Sequence, residues 1–126
     1  MSLDITPLVS DGRLMISSYG DGRFTVNDRK VEGSILLYEN RVEPWTATEA
    51  SEITLDSIQP LLNVAENYDI LIIGYGELSK MPPKDIRLAA KEKGLVLEWM
   101  NSGAAARTFT VLQTEDRRTL AAIIAV

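Results

Sequence analysis

The chain has 126 residues, 45% of them hydrophobic and 25% charged, with a formal net charge of -5 and neither cysteine nor histidine. That length suits one domain with a substantial core, so residues 1–126 are read as a single domain, and the composition is that of a globular protein rather than a disordered or membrane one. Without Cys or His there are no disulfides, thiolate metal sites, Ser-His-Asp triads or histidine general bases, and 13 scattered Lys and Arg against 18 Asp and Glu disfavour nucleic-acid binding.

No apolar run reaches the length of a membrane-spanning helix, and Met1 to Ser10 lacks the basic start and apolar centre of a secretory signal. Asp4 and Asp11 also argue against an acid-poor organellar presequence. A cytoplasmic location without membrane insertion is the expectation.

In chain order, Pro7 disfavours a strand before the Asp11-Gly12 turn, after which Leu14, Met15 and Ile16 begin one. Turn signals follow at Gly20-Asp21-Gly22, Asn27-Asp28 and Glu39-Asn40. Between them Phe24 and Val26 alternate, Val31 opens a strand that Ser34 to Tyr38 extends, and Arg41 to Trp45 forms a short partner. Alternation with two-residue polar turns predicts antiparallel hairpins with one wet face.

At Thr54 the pattern changes. Leu55, Ile58, Leu61 and Leu62 recur at helical spacing, and Pro60 is tolerated only in a first turn, which points to Ser57 as the cap. The stretch Asp69 to Gly76, DILIIGYG, then reads as a central strand buried on both faces, since four consecutive aliphatics show no polar alternation. A polar link leads to Met81-Pro82-Pro83 and a helix Lys84 to Lys93 with Ile86, Ala89 and Ala90 on one face, stopped by Gly94. Leu95, Val96 and Leu97 begin a second buried strand reaching Trp99 and Met100. Asn101-Ser102-Gly103 caps a third helix from Ala104 to about Gln113, and Leu120 to Val126 is a terminal apolar strand. Strand, helix, strand, helix, strand from Asp69 onward predicts right-handed crossovers and a parallel or mixed sheet; the short turn before the last strand leaves an antiparallel direction open for it.

Two loops leave strand ends on one edge of that sheet, Gly74-Tyr75-Gly76 and Asn101-Ser102-Gly103. As a site, the second offers a helix N-terminus with small residues, Gly103 to Ala106, and Arg107 one turn in, suited to a phosphate, a carboxylate or a partner's acidic side chain. As architecture, Asn101 or Ser102 caps the helix and the alanines bring it close to the sheet. Gly74-x-Gly76 is not a dinucleotide fingerprint, because no third glycine opens a helix at once, and a turn with positive φ accounts for both glycines. Trp45 and Trp99 suit core or rim packing. Ser17, Ser18 and Ser102 are conceivable nucleophiles, but no base accompanies them in any recognisable spacing. The acidic residues Asp21, Asp28, Glu32, Glu115 and Asp116 form no metal-binding spacing. No cofactor, metal ligand or catalytic residue is assigned.

The segments SYGDGRFTVNDRKVEGSILL, VEPW, DILIIGYG, MPPKDIR and NSGAAARTFTVLQTEDRRTLAAIIAV together resemble the small uncharacterised-domain family that includes mitochondrial respiratory complex I assembly factor 3 and its bacterial and archaeal relatives. The resemblance runs from Ser17 to Val126. It implies a three-layer α/β domain with a central mixed sheet, N-terminal antiparallel hairpins and a C-terminal βαβαβ half, with the last strand antiparallel to the rest. It supplies no catalytic residue. Tyr75, Thr110 and Asp116 depart from the small Thr, the Asn and the Gly common at those places. The expected function is a non-enzymatic binding or assembly protein using the glycine-edged face, Gly74, Tyr75, Gly76, Asn101, Ser102, Gly103 and Arg107. Its expected partner is a protein such as a respiratory-complex assembly intermediate. The alternatives are a small anionic-ligand-binding protein or cofactor-dependent enzyme with its pocket at the Gly103 helix start, and a homodimer that hides the edge strands of the hairpins.

Overall fold

The computed structural model describes residues 13–126; the expectations for Pro7 and for an Asp11-Gly12 turn lie outside them. In chain order the elements are β1 (Ile16–Gly20), β2 (Arg23–Val26), β3 (Arg29–Glu32), β4 (Ile35–Tyr38), β5 (Arg41–Pro44), α1 (Gln59–Leu62), β6 (Ile70–Gly74), α2 (Lys84–Glu92), β7 (Val96–Met100), α3 (Ser102–Thr114) and β8 (Thr119–Ile123). The first three strands form an antiparallel sheet in the order β1-β2-β3, and the other five a mixed sheet in the order β5-β4-β8-β6-β7.

The hairpins follow from residues that tolerate left-handed backbone. Asn27 and Asp28 have φ of 47° and 69°, and Glu39 and Asn40 of 52° and 57°, the paired positive values of a two-residue turn whose twist matches the flanking strands. The expected single strand from Val31 to Tyr38 is instead two strands in two sheets. Gly33, at φ 84°, breaks the run and gives its N–H to Gly22 O at 2.8 Å, so the chain leaves the first sheet after Glu32.

Two cores lie on opposite faces of the five-stranded sheet. One joins Leu36, Leu71, Ile73, Leu120 and Ala122 to Trp45, Ile58, Leu61, Ile86 and Ala90. The other joins Ile35, Leu37, Ile70, Ile72, Ala121 and Ile123 to Phe24 and Val26 of the small sheet and to Ala105, Ala106 and Phe109 of α3. Consecutive residues of β4, β6 and β8 thus alternate between the cores, which is why those strands are apolar without a break. Every residue of β6 and β8 is buried. The result is three layers, with α1 and α2 on one face and α3 with the small sheet on the other.

Three strand and helix expectations need correction. β8 is the middle strand of the five, parallel to β6 and antiparallel to β4, so the last strand is not antiparallel to the rest. β7 is an outer strand rather than a buried one, with Val96 57% exposed and Glu98 exposed. The segment after Thr54 forms only a 3-10 turn at Asp56–Ile58 and the single α turn of α1. Ser57 is not its cap: Leu55 precedes the 3-10 turn and Ile58 precedes α1, and neither makes a side-chain cap bond. Ser57 lies inside the 3-10 turn and is tied back to Thr54, whose Oγ1 accepts the Ser57 N–H at 3.1 Å while Ser57 Oγ accepts the Thr54 N–H at 3.0 Å, the reciprocal pattern of a capping box.

Candidate functional site

β6 and β7 are parallel neighbours whose outgoing connections pass to opposite faces, one to α2 and the other to α3. A crevice is expected between two such strand ends. Here hydrogen bonds span it. Tyr75 donates its N–H to Met100 O at 2.9 Å, Ser102 donates its N–H to Gly76 O at 2.9 Å, and the Gly76 N–H is accepted by Ser102 Oγ at 3.0 Å. Ser102 is fully buried, so its hydroxyl joins the two loops inside the protein. This contact brings together the two glycine-bearing loops that the sequence set side by side.

The seven predicted site residues have distinct positions. Gly74 ends β6 beneath α3, where a Cβ would lie 2.8 Å from Ala105 Cβ, 2.9 Å from Ile123 Cγ2 and 3.0 Å from Ser102 Cα. Its backbone is not left-handed, so close helix-to-strand approach accounts for this glycine and positive φ does not. Gly76, at φ 103°, is the conformational one. Asn101 caps α3, its Oδ1 accepting the Ala104 N–H at 2.8 Å. Gly103 lies under the Tyr19 ring, a Cβ there being 2.6 Å from Tyr19 Oη, and Arg107 Nη1 donates to the same hydroxyl at 2.7 Å. The approach to the start of α3 is therefore occupied by Tyr19 of β1. Tyr75 is half-buried against Trp99, ring centroids 5.7 Å apart, and the Trp99 indole N–H donates to Lys80 O.

Tyr75 and Gly76 line one side of an open cleft of about 360 Å³ completed by Thr48 to Ser51, Leu78, Lys80 and Ile124 to Val126. Arg107 belongs to a different cleft, with Tyr19, Ser17, Ser18, Ile16 and Ala106. The predicted residues thus divide between two surfaces and a buried seam. Among the described residues no three acidic side chains gather as a metal ion would need.

The loop from Glu77 to Pro83 carries what sequence reasoning passed over as a polar link. Leu78 is 85% exposed and Met81 84%, on a segment held by the Trp99–Lys80 bond. They are the two most exposed large apolar side chains among the described residues. Leu78 and Met81 themselves were the available signal, flanking Ser79 and Lys80 without any helical or strand period.

At the other end of the sheet Arg118 forms a two-pronged pair with Asp69, Nε to Oδ2 at 3.0 Å and Nη2 to Oδ1 at 2.8 Å. The guanidinium holds the Asp69 carboxyl below the ordinary aspartate range. Arg13 pairs with Asp116 at 2.8 Å beside a cleft of about 200 Å³ that also meets Tyr38 and Tyr68.

A family model described as "Protein of unknown function (DUF498/DUF598)" matches residues 16–124. The chain is 30% identical over 113 residues to an uncharacterized protein of Rhodobacter capsulatus, covering 90% of this chain and 86% of that one. It is 27% identical over 111 residues to human NADH dehydrogenase [ubiquinone] 1 alpha subcomplex assembly factor 3, covering 88% of this chain and 60% of the human protein's length. The crystal structure of an outer membrane protein from Bartonella henselae is similar at a TM-score of 0.85 and 33% identity, over 91% of this chain and 97% of that one.

Proposed function

The chain belongs to the DUF498/DUF598 family, and we propose that it is a protein-binding module that assists assembly of a multisubunit respiratory complex, a reading supported by its distant similarity to a human assembly factor of the NADH dehydrogenase [ubiquinone] 1 alpha subcomplex. The contact surface is the rim at the carboxyl ends of β6 and β8, with the Leu78–Met81 loop projecting from it and the cleft beside Tyr75 and Gly76 behind. The observation that carries this reading is the exposure of Leu78 and Met81. Apolar anchors entering a partner's pocket, framed by polar residues, are what concentrate binding energy in protein interfaces. No helix among the described residues is long and apolar enough to cross a membrane.

The test is photo-crosslinking in the native cell, with a photoreactive residue at Leu78 or Met81 and, as control, at Lys30 on the small sheet. Adducts with a respiratory-complex subunit or assembly protein are expected from the loop positions only. Equal adducts from Lys30, or none from the loop, would refute the reading.

The rival, a small anion at the start of α3, draws support from Arg107 and the hydroxyls of Ser17, Ser18 and Tyr19 around one cleft. Tyr19 over Gly103 argues for the protein partner instead. Inorganic phosphate should leave the unfolding temperature unchanged; a rise that disappears in Arg107→Ala would favour the anion.

A further inference from the structure

β7 is the outer strand of the five-stranded sheet and pairs with β6 alone. Val96 donates its N–H to Asp69 O, and Met100 O accepts the N–H of Tyr75, both at 2.9 Å. Val96, Glu98 and Met100 therefore turn their backbone groups toward β6. Leu97 and Trp99, which alternate with them, direct N–H and C=O away from the sheet.

The other outer strands are protected. β5 carries Arg41, Glu43 and Pro44 in four residues, and β3 reads Arg-Lys-Val-Glu. Charged side chains and proline are the usual means of keeping an edge from pairing. β1 has an irregular register between Ile16 and Ser18, and α3 covers its start through the Ile16 N–H to Thr110 Oγ1 bond. β7 has a single charge, Glu98, exposed beside exposed Val96.

We propose that β7 accepts an extended segment of a partner protein as a sixth strand, with a Lys or Arg of that segment beside Glu98. An antiparallel segment bonded to both Leu97 and Trp99 places one residue directly opposite Glu98. That pair is of the type without mutual hydrogen bonds, in which side chains lie closest and opposite charges attract. A second copy of this chain in the same register would set Glu98 against Glu98, on molecules of net charge -5. The occupant is therefore a different chain, with a cation at the centre of its strand. The inference rests on the protein-binding reading above but is independent of the Leu78–Met81 loop.

The experiment is an NMR titration of the isotopically labelled full chain with two synthetic heptapeptides of alternating Val and Thr, one with a central Arg and one with a central Glu. The amides of Leu97 and Trp99 should gain protection from exchange, and the Arg peptide should bind roughly twofold to fivefold more tightly. Glu98→Lys should reverse that preference, and Leu78→Asp with Met81→Asp should leave it intact. Absence of added protection at Leu97 and Trp99, or a preference that Glu98→Lys does not change, would overturn the proposal. Protection present without peptide and lost on dilution would overturn it too, because the occupant would then be a second copy. Loop crosslinks failing while the peptide result holds would refute only the loop.

Discussion

A methyl group on Gly74 has no room: backbone of α3, Ala105 Cβ and a methyl of Ile123 all stand within about 3 Å of where it would go. Gly74→Ala should cost about 1–3 kcal/mol in urea denaturation, the range for overpacking a well-filled core. Gly103→Ala meets the far end of Tyr19 instead, and Tyr19 is 40% exposed. That ring can swing into solvent, so the change should cost less than Gly74→Ala while breaking the Arg107 hydrogen bond. Ser102→Ala leaves the buried Gly76 N–H without its acceptor and should cost about 1–3 kcal/mol. If Gly74→Ala proved neutral, the close approach of α3 would be wrong. At this scale the sequence was partly legible. A cap at Asn101 or Ser102 was legible because a cap is a local matter, and the structure gives the role to Asn101. The reason for Gly74 lies in α3, and no local pattern records which helix will cross a given strand end.

At the scale of elements, Gly33 shows the opposite case. Nothing lies within 4 Å of a Cβ placed there, yet its φ is 84°. Gly33→Ala should lose about 1–2 kcal/mol through backbone strain alone, and the loss should appear equally if the residue is serine. The turns were legible because Asn-Asp and Glu-Asn pairs between alternating apolar residues leave few other readings. β7 was misread because Leu95-Val96-Leu97 resembles an inner strand for three residues. Glu98, in phase with Val96, marked the exposed face, and only the sheet order makes that face an edge. The link between β6 and β8 also has a pH signature. With the Asp69 carboxyl held below its ordinary range by Arg118, the pair's contribution is present above the unfolded-state aspartate range and is lost as pH falls through the lower folded value. Asp69→Asn should therefore flatten the acid limb of the stability-versus-pH curve and leave the neutral region little changed in shape.

Across the whole molecule, a parallel or mixed sheet with helices packed on it could be read from the order of patterns, since alternating apolar strands and helices after Asp69 permit few arrangements; the count of three layers came only with the family resemblance. The hydrophobic run of β6 correctly signalled a strand buried on both faces. Strand order was beyond reach: β6 and β8 are equally apolar, and which of them lies in the middle depends on α3 returning the chain past β6. Because β8 pairs with β4 on one side and β6 on the other, a chain truncated after Arg118 should show no cooperative unfolding transition by circular dichroism. A sharp transition in that truncation would mean that the hairpin half or the β6–β7 half folds alone.

The position of β8 bears on synthesis at the ribosome. Of the five strands in the large sheet, the one in the middle leaves the exit tunnel last, so β4 and β6 must wait with unpaired, apolar flanks until residues 119–123 appear. Helix and hairpin formation can run ahead of translation, but closing the sheet requires contacts between residues near opposite ends of the described chain, and such pairings form slowly. During that interval the nascent chain presents two sticky borders rather than one. Slowing translation after Met100 should lengthen the exposure and increase chaperone capture and aggregation, whereas slowing it before Ile35 should have little effect, because no strand of the large sheet has yet been made.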